Sequence, residues 1–124
     1  MNKGQFGEKI ACHYLEKKGY EILETNYVFK PGFGPIRAEI DIIARKAGGF
    51  VFVEVKLLSI GGLKGIFFPE NKVNAQKRRK IARASQFWLM KNNIPLNSKY
   101  QIDVVAIELT QDISKANVRY IENV

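Results

Sequence analysis

A single cysteine and a single histidine, adjacent at Cys12-His13, are all that this 124-residue sequence offers of the softer metal ligands. One cysteine closes no disulfide within the chain, and with one histidine it cannot complete a Cys/His zinc site. A metal held by one copy of the chain must therefore sit on oxygens, which points to magnesium or a related hard ion. Long apolar runs are also missing, since none approaches the roughly 20 residues that span a bilayer as a helix. The opening Met1-Asn2-Lys3-Gly4-Gln5-Phe6-Gly7-Glu8 has no apolar run behind its one basic residue, so it does not read as a secretory signal. A reducing cytoplasm fits these absences. Acid is unevenly scarce: no Asp or Glu lies between Asn71 and Ile102.

What is present reads as one globular domain covering residues 1–124, because domains typically run about 100–200 residues and a chain of this size buries roughly two-thirds of its unfolded surface. Hydrophobic residues at 46% and charged residues at 26% exclude a disordered chain, a collagen and a coiled coil. Twenty Lys and Arg against twelve Asp and Glu leave a formal charge of +8 and a pI near 9.7. That excess draws a small protein toward polyanions: nucleic acid, an anionic membrane surface or an acidic partner.

Phe6, Ile10, Ala11, Tyr14 and Leu15 recur at helical spacing, and Gly19 ends that helix after Lys17 and Lys18. Tyr20 to Phe29 reads as a strand, and Pro31-Gly32-Phe33-Gly34-Pro35 as a loop. Ala38–Arg45 and Phe50–Leu57 form two strands of an antiparallel hairpin across Lys46-Ala47-Gly48-Gly49. A glycine-rich stretch from Ser59 to Pro69 precedes a long helix from about Asn71 to Lys91. Gln101–Leu109 and Asn117–Ile121 are the last strands. This order predicts an α/β fold with a central mixed five-stranded sheet flanked by helices.

The hairpin holds the most informative residues. Strand alternation puts Glu39 and Asp41 on one face of Ala38-Glu39-Ile40-Asp41-Ile42-Ile43-Ala44, with Ile40 and Ile42 on the other. In Phe50-Val51-Phe52-Val53-Glu54-Val55-Lys56, Glu54 and Lys56 share a face opposite Val51, Val53 and Val55. Charges on central apolar strands are costly unless paired or bound to a metal. Two neighbouring strands offering carboxylates, with a lysine two residues beyond one of them, can hold a divalent cation and set an ammonium beside it. A cross-strand ion pair of Lys56 with Asp41 or Glu39 accounts for the same residues without chemistry.

Glu8 lies at the edge of the buried stripe of the first helix. It is either favoured there by the helix dipole alone or reaches the same sheet face as a direct or water-mediated metal ligand. In the long helix Lys77 falls among Val73, Ile81, Ala84 and Trp88, so it must snorkel or meet an anion, either the acidic cluster or a phosphate. Lys72, Arg78, Arg79, Lys80 and Arg83 belong to the same basic run, most of which is a solvated face. Of these, Lys72, Arg78, Arg79 and Arg83 are candidates for phosphate contacts. Other features fail as sites. His13 has no partner geometry for a nucleophile dyad, and Cys12 on a helix reads as a small core residue. Gly61, Gly62 and Gly65 lack the Gly-Lys-Ser/Thr ending of a phosphate loop. Phe33, Phe67 and Phe68 lie in loops where they could stack on bases.

Asp41 followed by Glu54-Val55-Lys56 resembles the Asp…Glu-x-Lys pattern of the restriction-endonuclease-like nucleases. Gly7-Glu8, Ala11, Tyr14-Leu15, Gly19-Tyr20 and Asn26 narrow the resemblance to the YraN family, predicted endonucleases distantly related to archaeal Holliday-junction resolvases. Glu39 to Ala44, Val51 to Lys56, Val73 with Lys77, Asp103-Val104-Val105 and Val118 to Asn123 look like that family's later landmarks. The chain departs from the pattern at Ala38, where glycine is usual, and in a longer Lys30–Arg37 loop. It departs again at Leu57-Leu58, which replaces polar or basic residues and weakens the case for a phosphate contact there.

The resemblance implies a restriction-endonuclease-like core and a magnesium- or manganese-dependent endonuclease acting on DNA, with branched or junction DNA among its substrates. It implies metal ligation by Asp41, Glu54, the Val55 carbonyl and Glu8, with Lys56 orienting water or stabilising the transition state. Glu39 is a secondary candidate. A junction-cutting enzyme needs two sites, hence a symmetric homodimer. Two other classes stay open: a catalytically inactive nucleic-acid-binding module of the same fold, and a protein-interaction domain whose basic helix docks an acidic partner.

Overall fold

The computed structural model describes residues 3–30, 32, 37–58, 74–109 and 116–124. Helix α1 (Lys3–Lys17) is followed by strands β1 (Glu21–Phe29), β2 (Ala38–Lys46) and β3 (Gly49–Leu58). Helix α2 (Ala75–Lys91) leads to β4 (Tyr100–Leu109) and β5 (Ala116–Ile121). The five strands form one mixed sheet in chain order, with β3 and β4 parallel and every other neighbouring pair antiparallel. Such a sheet flanked by two helices agrees with an α/β nuclease-like core. The expected strands lie within one residue of the observed bounds. The start expected for the long helix, residues 71–73, lies outside the described residues, as do the glycine-rich stretch and most of the 31–35 loop.

Local chemistry explains the joints. Gly19 at φ 94 closes α1 while its own N–H and that of Tyr20 bond back to the Glu16 and Leu15 carbonyls, both at 3.0 Å, a Schellman ending. In the β2–β3 hairpin Lys46 pairs with Gly49, leaving Ala47 and Gly48 as the turn. Both are left-handed, at φ 51 and 79, the twist a two-residue hairpin of type I′ requires. A parallel β3–β4 pair needs a crossover, and α2 lies within it.

Among the described residues each sheet face carries one helix and its own core. On one side Ile81, Ala84, Trp88 and Leu89 of α2 pack on Ile40, Ile43, Phe50, Phe52 and Ile102. On the other, Ala11 and Leu15 of α1 pack on Ile42, Ala44, Val51, Val53, Val105 and Ile107. These memberships correct the expected faces of β2. Ile40 belongs to the α2 side and Ile42 to the α1 side, so they do not share a face. The alternation breaks at Asp41, where the strand carries one residue outside the regular pleat. Among the described residues no helix is long and apolar enough to cross a membrane.

Asp103 of β4 is fully buried, and its carboxylate is fully engaged. It accepts from Gln101 Nε2 at 2.9 Å, from the Asn123 backbone N–H at 2.8 Å and from the Tyr120 hydroxyl. Tyr120 also meets the Tyr20 hydroxyl at 3.2 Å and stacks edge-on to Tyr14. Asp103 thus fastens the end of the chain to the sheet, and its role is structural. Asp103→Ala takes the acceptor from three part-buried donors, the Gln101 amide, the Asn123 N–H and the Tyr120 hydroxyl, so a loss of about 2–3 kcal/mol in urea unfolding is expected. A change below about 0.5 kcal/mol, the range of an indifferent surface substitution, would remove that role.

Candidate active site

β3 supplies the first carboxylate. Because Phe50 and Phe52 face α2, Glu54 two residues further does too, and it is only 8% exposed. Its Oε1 receives Lys77 Nζ at 2.8 Å and Lys56 Nζ at 3.2 Å. Lys56 comes from the same strand face, whereas Lys77 comes from the first turn of α2. Asn74 sets that turn: its side chain accepts the Lys77 N–H at 2.8 Å and its carbonyl the Arg78 N–H at 2.9 Å. The cap that starts the helix therefore also delivers an ammonium to the site. The anion expected for Lys77 is the acidic cluster itself, and the expected Lys56 pairing moves from Asp41 or Glu39 to Glu54.

The two lysines diverge electrostatically. Burial pulls the Lys56 ammonium below the ordinary lysine value and the neighbouring Lys77 pushes the same way, with Glu54 only partly offsetting them. Burial also works against charge on Lys77, but its contacts with Glu54 and Lys56 outweigh that cost and hold it above the ordinary value. Lys77 is thus the fixed cation of the pair, and Lys56 is the amine that gives up its proton more readily.

Asp41 enters where β2 and β3 part. Their ladder ends at Ile42–Val53, and beyond it Asp41 Oδ2 accepts the Val55 N–H at 2.8 Å. The side chain replaces a strand in pairing that amide. Burial, then the charges of Glu54, Glu8 and Glu39, push the Asp41 carboxyl up to about 7 against the opposing Val55 bond. Asp41, Glu54, Glu39, Arg37, Lys77 and Lys80 line a cleft of about 420 Å³. An acidic floor thus lies under a basic rim.

Glu8 is placed differently from expectation. It sits on α1, across the sheet from Glu54, in a second cleft of about 560 Å³ with Cys12, His13, Thr25 and Asn26. Its charge still reaches Asp41, which lies at the gap between strands, and its Oε1 is buried with no hydrogen-bond partner among the described residues. Among the described residues no three Asp, Glu, His or Cys side chains draw together into a group that could hold a metal ion. A four-ligand set of Glu8, Asp41, Glu54 and Val55 is therefore not assembled, and Val55 engages the site through its N–H. Asp41 and Glu54 still fit a divalent ion, because magnesium is usually held by one or two carboxylates and completes its shell with water and phosphate oxygens. The suppressed ionisation of Asp41 marks a carboxyl that a cation beside it would favour in its charged form.

The basic residues divide in the same way. Arg37 and Lys80 line the cleft, although sequence reasoning did not select them. Lys80 had a usable signal, being one helical turn from Lys77. Arg78 donates to the Val124 carbonyl, and the Arg83 guanidinium lies 5.9 Å from the centre of the Phe29 ring. Both therefore help hold the chain end and β1 as well as face solvent, and neither lines the cleft. Arg79 is exposed, and Lys72 lies outside the described residues, as do Phe33, Phe67 and Phe68. Burial, Glu16 and Glu8 all raise the Cys12 thiol, which argues against a nucleophile there.

Comparison with known proteins finds one family and its members. The uncharacterised protein family UPF0102 matches residues 7–107. A UPF0102 protein of Clostridioides difficile is 40% identical over 109 residues, covering 88% of this chain and 87% of its own. One from Alkaliphilus oremlandii is 39% identical over 126 residues, covering 99% and 98%. One from Persephonella marina is 40% identical over 105 residues, covering 85% and 82%.

Proposed function

The chain belongs to the uncharacterised protein family UPF0102, the YraN family of the resemblance above, and from its site we propose that it is a metal-dependent endonuclease hydrolysing phosphodiester bonds in DNA. One observation carries this reading: two lysines from different elements converge on Glu54 beside Asp41, a half-buried carboxyl with no ion pair of its own among the described residues. A purely structural ion pair needs one lysine and no second carboxylate.

Asp41 and Glu54 would hold magnesium or manganese, which when bound lowers the pKa of a coordinated water and offsets charge on the phosphate. The Val55 N–H fixes one Asp41 oxygen and leaves the other for the ion. Lys77, the firmer cation, binds a non-bridging phosphate oxygen when it leaves Glu54. Lys56, whose amine is more readily neutral, orients a water and moves a proton at Nζ. Arg37 and Lys80 hold the backbone phosphates on either side, and the net charge of +8 strengthens the approach of a polyanion.

The test is cleavage of labelled linear, flapped and four-way-junction DNA with magnesium or manganese against EDTA. Cutting that needs the metal is the expected result, and the preferred substrate defines whether a junction is recognised. Salt-sensitive binding with no cutting on any substrate would replace this reading by the inactive binding module. Indifference to DNA at low salt would replace it by the protein-interaction domain.

A further inference from the structure

We propose that Asn26 is a positioning residue for Asp41: its left-handed backbone lets β1 slip phase together with β2, and that joint slip turns the Asp41 carboxylate into the gap beside Val55. The proposal rests on the reading of Asp41 as the central carboxylate of the site.

Asn26 faces Asp41 across the β1–β2 ladder, between the pairs Thr25–Ile42 and Tyr27–Ile40. Regular alternation would put Thr25 and Tyr27 on one face. Instead Thr25 lines the cleft beside α1, while Tyr27 packs into the core beneath α2. Ile42 and Ile40 part in the same way. Both strands therefore place one residue out of the pleat at the same level, and the pairing is in step on either side of it.

A slip in β2 alone would break that register. Every pair from Ile40 to Ala38 would then be displaced against Tyr27, Val28 and Phe29. The slip in β1 is taken up at Asn26, whose φ is 55. For an ordinary L-residue this conformation is unfavourable, and Asn and Gly bear it best. Asp41 lines the cleft beside α2 with Glu54 and Glu39, and without the joint slip its carboxylate would lose the Val55 N–H. Packing holds the slip beyond Asn26, with Tyr27 and Phe29 in the α2 core, while Thr25 before it lies in the α1-side cleft.

The test compares N26G with N26A in the full-length, metal-free protein, using amide hydrogen exchange and the chemical shift of Val55. Both substitutions remove the carboxamide, so a difference between them reports the backbone alone. D41A supplies the signature of a lost Val55 bond, and far-UV circular dichroism checks that the fold is kept. N26G is expected to keep Val55 exchange within about twofold of wild type, and N26A to exchange about tenfold faster, local opening being what the amide reports. N26D, whose short side chain also tolerates this conformation, is expected to follow N26G. Equal behaviour of N26G and N26A, or N26D following N26A, would overturn the proposal. If wild type cuts no DNA while Val55 responds as described, the nuclease reading fails and the positioning role stands.

Discussion

Replacing Asp41 by asparagine is expected to make the metal-free protein more stable at pH 8 while removing metal-dependent cleavage. The carboxyl is pushed up to about 7 in the folded chain against an ordinary value of 3.8. The folded state therefore holds the proton more tightly than the unfolded state. Above pH 7 the cost of ionising Asp41 is carried in full, and it is relieved as pH falls through 7 toward 4. A shift of about three pKa units corresponds to roughly 4 kcal/mol as an upper figure. The asparagine side chain carries no charge to desolvate, and its amide oxygen can still accept the Val55 N–H.

Thermal unfolding at pH 8 and pH 4 measures the effect directly. The variant should gain stability over wild type at pH 8 and little at pH 4. Magnesium should raise the wild-type transition, because a ligand bound only by the folded state stabilises it, and should leave the variant unmoved. Equal pH dependence in the two proteins would show that Asp41 is not the carboxyl whose ionisation burial suppresses. A variant that still cuts with metal would remove Asp41 from the proposed chemistry.

Lys56→Ala is expected to lower the turnover of that cleavage by about 10²–10³, the usual loss when one preorganised donor is removed, with substrate binding little changed. Lys77→Ala should act differently. It takes a fixed cation from the rim, so it should weaken DNA binding and reduce the salt slope by about one phosphate contact. Because Lys77 also occupies Glu54, its removal should tighten magnesium binding measured by thermal shift. Single-turnover kinetics with binding at several salt concentrations separate the two lysines. Identical effects on turnover and binding would mean that they act as one structural pair.

Much of this was legible in the residues. The apolar periodicities of α1 and of the central strands give the element order, since a buried face must repeat with its element's geometry. Gly19 and the Lys46–Gly49 turn mark two of the joints because their backbones demand particular residues. Glu54 and Lys56 share a face because β3 is regular, and Lys77 shows itself as a charge on an apolar helix face.

The failures arise where elements meet. Alternation is a local rule, and it breaks at Asp41, where β1 and β2 slip together. Ile40 and Ile42 therefore part, and Asp41, while still lining one cleft with Glu39, turns an oxygen to the Val55 N–H. Glu8 was aimed at the right neighbour from the wrong layer, because a helical wheel does not say which sheet face its helix covers. Arg37 and Lys80 went unselected because only the docking of α2 against the end of β2 brings them to one cleft. Composition, periodicity and turn chemistry thus determined by themselves the elements, the basic charge and the types of residue available for chemistry. Tertiary structure alone decided which charges meet, because a carboxylate's partner is set by strand register and helix docking, and both are settled by cores remote from it in the chain.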